Sequence, residues 1–115
     1  MRRSQSEALI VVAGALTYAN SKVIAELSLA NRLPSCHGFK ETVAAGGLIS
    51  LGPDLLALGH QGAFLIDKII KGARPADIPV EQPTQYIMTI NLKTAKALGL
   101  ILPATLLASA DEVIE

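Results

Sequence analysis

The alternation of short extended runs with helix-forming segments limits the fold of this chain more than any other feature of it. Leu9-Ile10-Val11-Val12 is β-branched, bounded by polar residues and Gly14, and too short for a helix. Val23, Ile24, Leu27 and Ala30 then recur at helical spacing and predict one apolar stripe, with Lys22, Glu26 and Asn31 away from it. Asn20 or Ser21 is placed to cap that helix, and Pro34 ends it by disfavouring helical geometry in the residue before it. Pro34 to Phe39 predicts a second strand. Residues Lys40 to Ala45 predict one or two helical turns stopped by Gly46-Gly47, and Leu48-Ile49-Ser50-Leu51 predicts a third strand. Strands alternating with crossover helices predict an α/β fold: a parallel sheet with flanking helices.

The second half opens at Gly52-Pro53-Asp54, a turn whose Asp54 suits the N-cap of the longest predicted helix, Leu55 to Lys71. Gly72 suits the position after it. Gly59 and Gly62 each cost this helix roughly 1 kcal/mol against Ala, which points either to a close backbone approach there or to flexibility alone. Ala73 to Pro83 carries three prolines and reads as a loop. Tyr86 to Ile90 predicts a fourth strand, and Asn91 caps a short helix closed by Gly99. The tail from Leu100 is apolar, then acidic, with room for a last helical turn.

Composition narrows the function classes. Half the residues are hydrophobic, which excludes disorder, and 115 residues suit one domain. Ten basic and ten acidic side chains cancel, and the chain has no Trp, so no electrostatic footprint or stacking platform for nucleic acid is present. Arg2 and Arg3 ahead of Ala8 to Leu16 loosely resemble a signal peptide. Glu7 at the edge of the run and its shortness favour a buried strand instead.

No catalytic constellation emerges. A cysteine nucleophile needs a base, but adjacent residues on a strand point to opposite faces, so His37 is badly placed to serve Cys36. Cys36, His37 and His60 match no zinc spacing, and His60 falls within the long helix. No glycine pattern matches a phosphate or dinucleotide cradle. Neither a metal nor a cofactor is expected. Open α/β sheets bind ligands at the C-terminal ends of their strands. The residues expected to bind a ligand are therefore Tyr18 and Asn20 after the first strand, His37 and Phe39 after the second, and Ser50, Gly52 and Asp54 at the third. Asp54 serves equally as a plain helix cap.

Several blocks of the chain resemble one family. Leu27 to Phe39, Ala45 to Leu55, Ile69 to Thr84, Ile90 to Leu100 and Ala110 to Ile114 are similar to the later part of ABC-transporter substrate-binding proteins. The resemblance covers nearly all the chain from Leu9 onward, and Lys71 to Pro83 and Asn91 to Leu100 are its most specific parts.

That family has the type I periplasmic-binding-protein fold, two α/β lobes around a cleft. The resemblance implies that residues 1–50 are a partial second lobe. It implies that residues 51–115 are a crossover helix, Pro-rich loop, strand and tail that pack on a first lobe or at the hinge. It makes the chain a truncated bacterial solute-binding component, not an enzyme, that takes a small polar molecule such as an amino acid. Its partners would be ABC permease subunits in the full-length parent, with a periplasmic or extracytoplasmic location for that parent. Surfaces meant for the absent lobe predict a homodimer through exposed apolar area, or a loosely packed chain. A small α/β dimerisation or regulatory module without a transport ligand is the alternative. Family members commonly carry Tyr at His37 and a Tyr-Gly pair at Leu51-Gly52, and the resemblance turns both positions toward the cleft.

Overall fold

The computed structural model describes residues 6–115; Arg2 and Arg3 lie outside the described residues. In chain order the elements are β1 (Leu9–Val11), α1 (Ala15–Ala19), α2 (Ser21–Ala30), β2 (Ser35–His37), α3 (Lys40–Ala44) and β3 (Ile49–Pro53). Then follow α4 (Leu55–Ile70), a 3-10 turn at Pro75–Asp77, β4 (Tyr86–Asn91), α5 (Leu92–Leu98), α6 (Ala104–Ala108) and β5 (Glu112–Ile114). The apolar run at the N-terminal end thus holds a strand, as its β-branched residues predict, but not the buried one expected, since Ile10 and Val12 are 78% and 77% exposed. Helix α1 stands between β1 and α2. Asn20 turns its amide back to donate to the Leu16 carbonyl at 2.9 Å, so its side chain closes α1 and does not cap α2.

The strands form one sheet in the order β1-β2-β3-β4-β5. Pairs β1–β2, β2–β3 and β4–β5 are parallel. The remaining pair is antiparallel, because the Asn91 N–H at the end of β4 donates to the Leu48 carbonyl just before β3 begins (2.9 Å). The fold is α/β with flanking helices, and its sheet is mixed where a wholly parallel one was expected. A parallel neighbour must start from the same end of the sheet as the strand before it. The β3–β4 connection instead begins and ends at one end, where the Asp54 N–H donates to the Gln85 carbonyl (3.1 Å).

Two compact units result. One comprises residues 6–52 with 87–115; the other is Pro53–Tyr86. The first boundary falls between Gly52 and Pro53. Residues 87–115, however, return to the same sheet and do not stay with the crossover helix, since β4 pairs with β3.

In the first unit, α2 buries Ala25 and Ser28, with Ile24 half-buried, while Val23 and Leu27 remain 52% and 57% exposed. The predicted stripe therefore lies largely outside. Small side chains face inward because the turn at Gly46 comes close: a Cβ at Gly46 would sit 3.8 Å from that of Ala25. Leu33, Val43, Leu48, Ile90 and Ala95 complete the apolar core. Asn91 caps α5 by accepting from the Thr94 N–H (3.0 Å), and Gly99 ends it with a left-handed φ of 72°.

In the second unit, Asp54 caps α4 by accepting from the Leu56 N–H at 2.9 Å. Gly72, at φ 104°, takes the left-handed conformation that follows the helix end. None of the helix's sixteen residues is buried. Ala57, Leu58, Gln61 and Leu65 are half-buried along one side, while Leu56 and Ile70 are 71% and 79% exposed on another. The close approach expected at Gly59 and Gly62 does not occur, since a Cβ at either would meet nothing within 4 Å. Substituting Gly59→Ala or Gly62→Ala is then expected to stabilise α4 by about 0.5–1 kcal/mol each. Hydrogen exchange of the α4 amides should slow correspondingly, and unchanged or faster exchange would show that the glycines are held against a surface.

Candidate functional site

The C-terminal ends of β1, β2 and β3 converge on three small residues. A Cβ on Gly52 would overlap the Gly38 carbonyl oxygen, and one on Gly38 would come within 2.6 Å of the Ala13 side chain. The backbone here is packed too closely for larger side chains, which leaves peptide groups as the floor of the edge. Over it stand two rings. Tyr18 from α1 and Phe39, the residue before α3, meet edge to face with centroids 5.3 Å apart and planes at 85°. Tyr18 remains 41% exposed and Phe39 is half-buried, so the pair presents apolar ring surface at this edge.

The seven expected ligand residues divide into groups. Tyr18, Phe39 and Gly52 come together at this edge. Asn20 is exposed, with its amide committed to the Leu16 carbonyl. His37 and Ser50 point inward, at 2% and 0% exposure. Both belong to strands and not to the loops after them, and strand alternation turns them toward the helices. The resemblance's expectation that His37 looks toward a cleft is not what the structure shows. Its ring fills the space that Gly47 leaves open, with Nε2 2.7 Å from where a Gly47 Cβ would be. Nε2 also shares a hydrogen bond with Ser35 Oγ at 2.9 Å.

Asp54 lies in the second unit, where it helps to line a pocket of about 440 Å³ with Leu58, Gln61, Glu81, Thr84 and Gln85. The Gln61 amide donates to Glu81 Oε2 at 2.8 Å and joins the helix wall to the loop wall. Sequence reasoning missed these partners. The helical spacing of Asp54, Leu58 and Gln61 was available, but no local pattern tells which loop faces a helix side. Among the described residues no group of three or more His, Cys, Asp or Glu is placed to hold a metal, and no helix is long and apolar enough to cross a membrane.

The five-stranded mixed sheet with flanking helices matches solved structures closely. The chain aligns with a conserved domain protein from Vibrio cholerae at TM-score 0.90 and 22% identity, covering 95% of this chain and 37% of that one. It aligns equally well, at TM-score 0.90 and 28% identity, with an ABC domain from Streptococcus pneumoniae in complex with L-Trp, covering 98% and 38%. A third match is the ligand-free, open structure of a substrate-binding protein with adhesive properties from Clostridium difficile (TM-score 0.66, 22% identity, 96% and 37%). No curated protein matches the sequence. The family model for ABC transporter substrate binding proteins matches residues 2–114, and the chain belongs to that family. The family is a transport family and not an enzymatic one. The chain spans 37–38% of the length of these three structures.

His37 gives a pH dependence whose sign follows from its surroundings. Burial lowers its pKa below the ordinary 6.5, because the interior penalises the imidazolium. The folded state therefore binds the proton less readily than the unfolded chain. Stability is fully present above about pH 6.5 and falls as pH drops from there through the lowered folded-state value. Chemical denaturation at pH 7.5 and pH 5 should show wild type losing more stability on acidification than His37→Gln. Equal losses would mean that His37 titrates as freely folded as unfolded.

Proposed function

We propose that this chain is the solute-binding part of an ABC-type uptake transporter and supplies one wall of a cleft for a small polar molecule such as an amino acid. The observation that carries the reading is the partly exposed Tyr18–Phe39 pair at the strand-end edge where Ala13, Gly38 and Gly52 pack closely. Rings hold the apolar body of a ligand, and a few polar groups orient its charged ends, which is the usual division of labour in small-molecule pockets. Asn20, exposed beside the pair in sequence, is the side chain assigned to a polar end through its free amide oxygen. The L-Trp bound to the Streptococcus relative supports an amino acid, an aromatic one among the first to try.

The rest of the reading concerns the longer protein. The unit Pro53–Tyr86, whose helix α4 has no buried residue, would pack on a first lobe or at the hinge. Closure of the two lobes would trap the solute and present it to permease subunits at an extracytoplasmic face.

Thermal unfolding with a panel of amino acids and small polar metabolites tests this. A ligand at about 100 times its Kd adds roughly 2.7 kcal/mol, enough to raise Tm by several degrees. One ligand should shift the wild type, and Phe39→Ala should lose most of that shift. A broad transition that no ligand moves would sink the proposal for the chain on its own.

The exposed Leu56, Ile66 and Ile70 on α4 favour a second reading, a dimerisation module. Light scattering that gives a concentration-independent dimer, together with ligand insensitivity, would select it. A ligand-responsive monomer would remove it.

A further inference from the structure

Residues 81–85 are tied to the first two turns of α4 at both ends. At one end the Asp54 N–H donates to the Gln85 carbonyl (3.1 Å); at the other the Gln61 amide donates to Glu81 Oε2 (2.8 Å). The pocket of about 440 Å³ lies between these ties, within the roughly 300–1,000 Å³ that small-molecule sites occupy. From Asp54 to Gln61 the helix rises about 10 Å, and four extended steps from Glu81 to Gln85 span about 13 Å. Walls of matched length, bonded at each end, make a preformed site.

Its lining has acceptors at the two ends and apolar groups between them. Among the described residues only the Leu56 N–H donates to the Asp54 carboxylate, through Oδ1, which leaves Oδ2 open. Glu81 Oε1 faces the Lys68 ammonium at 3.9 Å, too long for a hydrogen bond. Ala57, Leu58 and Pro83 line the stretch between. Asp54 is half-buried and the Glu81 side chain 34% exposed, so both carboxylates act through a medium less polar than bulk water. No Lys or Arg belongs to the lining, so an anion would meet two like charges. Among the described residues no three His, Cys, Asp or Glu are grouped for a metal ion, which points to an organic cation.

We propose that this pocket binds a small organic cation with N–H donors at both ends of a short apolar stem, a linear diamine or an alkylguanidine. A four-carbon diamine with a charge-assisted hydrogen bond of about 2.8 Å at each end spans about 12 Å, the length of the walls. Every lining residue belongs to Pro53–Tyr86, so the proposal does not rest on the solute reading of the Tyr18–Phe39 edge. Asp54, Leu58, Gln61 and Leu65 share one side of α4, and Leu56, Ile66 and Ile70 fall roughly opposite at 3.6 residues per turn. A surface that covers those aliphatic side chains leaves the pocket open.

Isothermal titration calorimetry of putrescine and of agmatine into the 115-residue chain tests this. At least one amine should bind at a single saturable site, and butane-1,4-diol, of similar length but uncharged, should not. Asp54→Asn keeps a helix-capping side chain, and Glu81→Gln keeps an acceptor for Gln61, while each removes a charge. Each should weaken binding roughly tenfold or more. No heat from either amine at millimolar concentration, equal binding of the diol, or unchanged affinity in either variant overturns the proposal. Should a variant fail to fold, amide NMR of the wild-type chain with putrescine decides. Shifts centred on residues 54–61 and 81–85 support the site, and shifts centred elsewhere, or none, overturn it.

Discussion

Asn91 holds the first unit together. Its backbone N–H donates to the Leu48 carbonyl, its side-chain amide donates to the Val43 carbonyl at 3.1 Å, and its side-chain oxygen accepts from the Thr94 N–H. One buried residue thereby pairs β4 with β3, satisfies a carbonyl of α3 and starts α5. Thr94 adds a bond from its hydroxyl to the Gly46 carbonyl at 2.9 Å. The bonds to the Leu48, Val43 and Gly46 carbonyls each join distant stretches of sequence, and in the buried interior an unmade bond would cost more than the made one contributes. The edge that carries Tyr18 and Phe39 keeps its shape because the strands beneath it cannot slide.

Local signals in the sequence were reliable where the physics is local. Asp54 and Asn91 cap the helices they precede, and Gly72 and Gly99 end them, because capping and left-handed conformations depend on a few adjacent residues. The α/β class was legible for a similar reason, since strand and helix periods differ. The direction of β4 was not legible. Nothing in Tyr86–Asn91 states which way the strand runs; that is set by where Pro53–Tyr86 returns the chain.

The inward face of α2 shows a different limit. Periodicity selected Val23 and Leu27 because they are the larger apolar residues, but the turn at Gly46 admits only side chains as small as Ala25 and Ser28. Hydrophobicity predicts which residues prefer burial, whereas shape decides which can have it. His37 and Ser50 were read as edge residues because strand ends are uncertain by a residue or two, and in a strand one residue reverses the face. Tyr18 and Phe39 escaped that error, since they lie beyond the strands on a helix and at a helix start.

Pro53–Tyr86 leaves the sheet after one strand and rejoins it at the neighbouring strand. In topological terms it is the loop of a β-hairpin grown to the size of a small unit. The entropy of closing a loop rises only with the logarithm of its length, so enlarging the loop costs the hairpin little. The strand pair therefore does not depend on what fills the loop. A lobe built this way can exchange, lengthen or loosen its excursion while the sheet that shapes its edge stays the same.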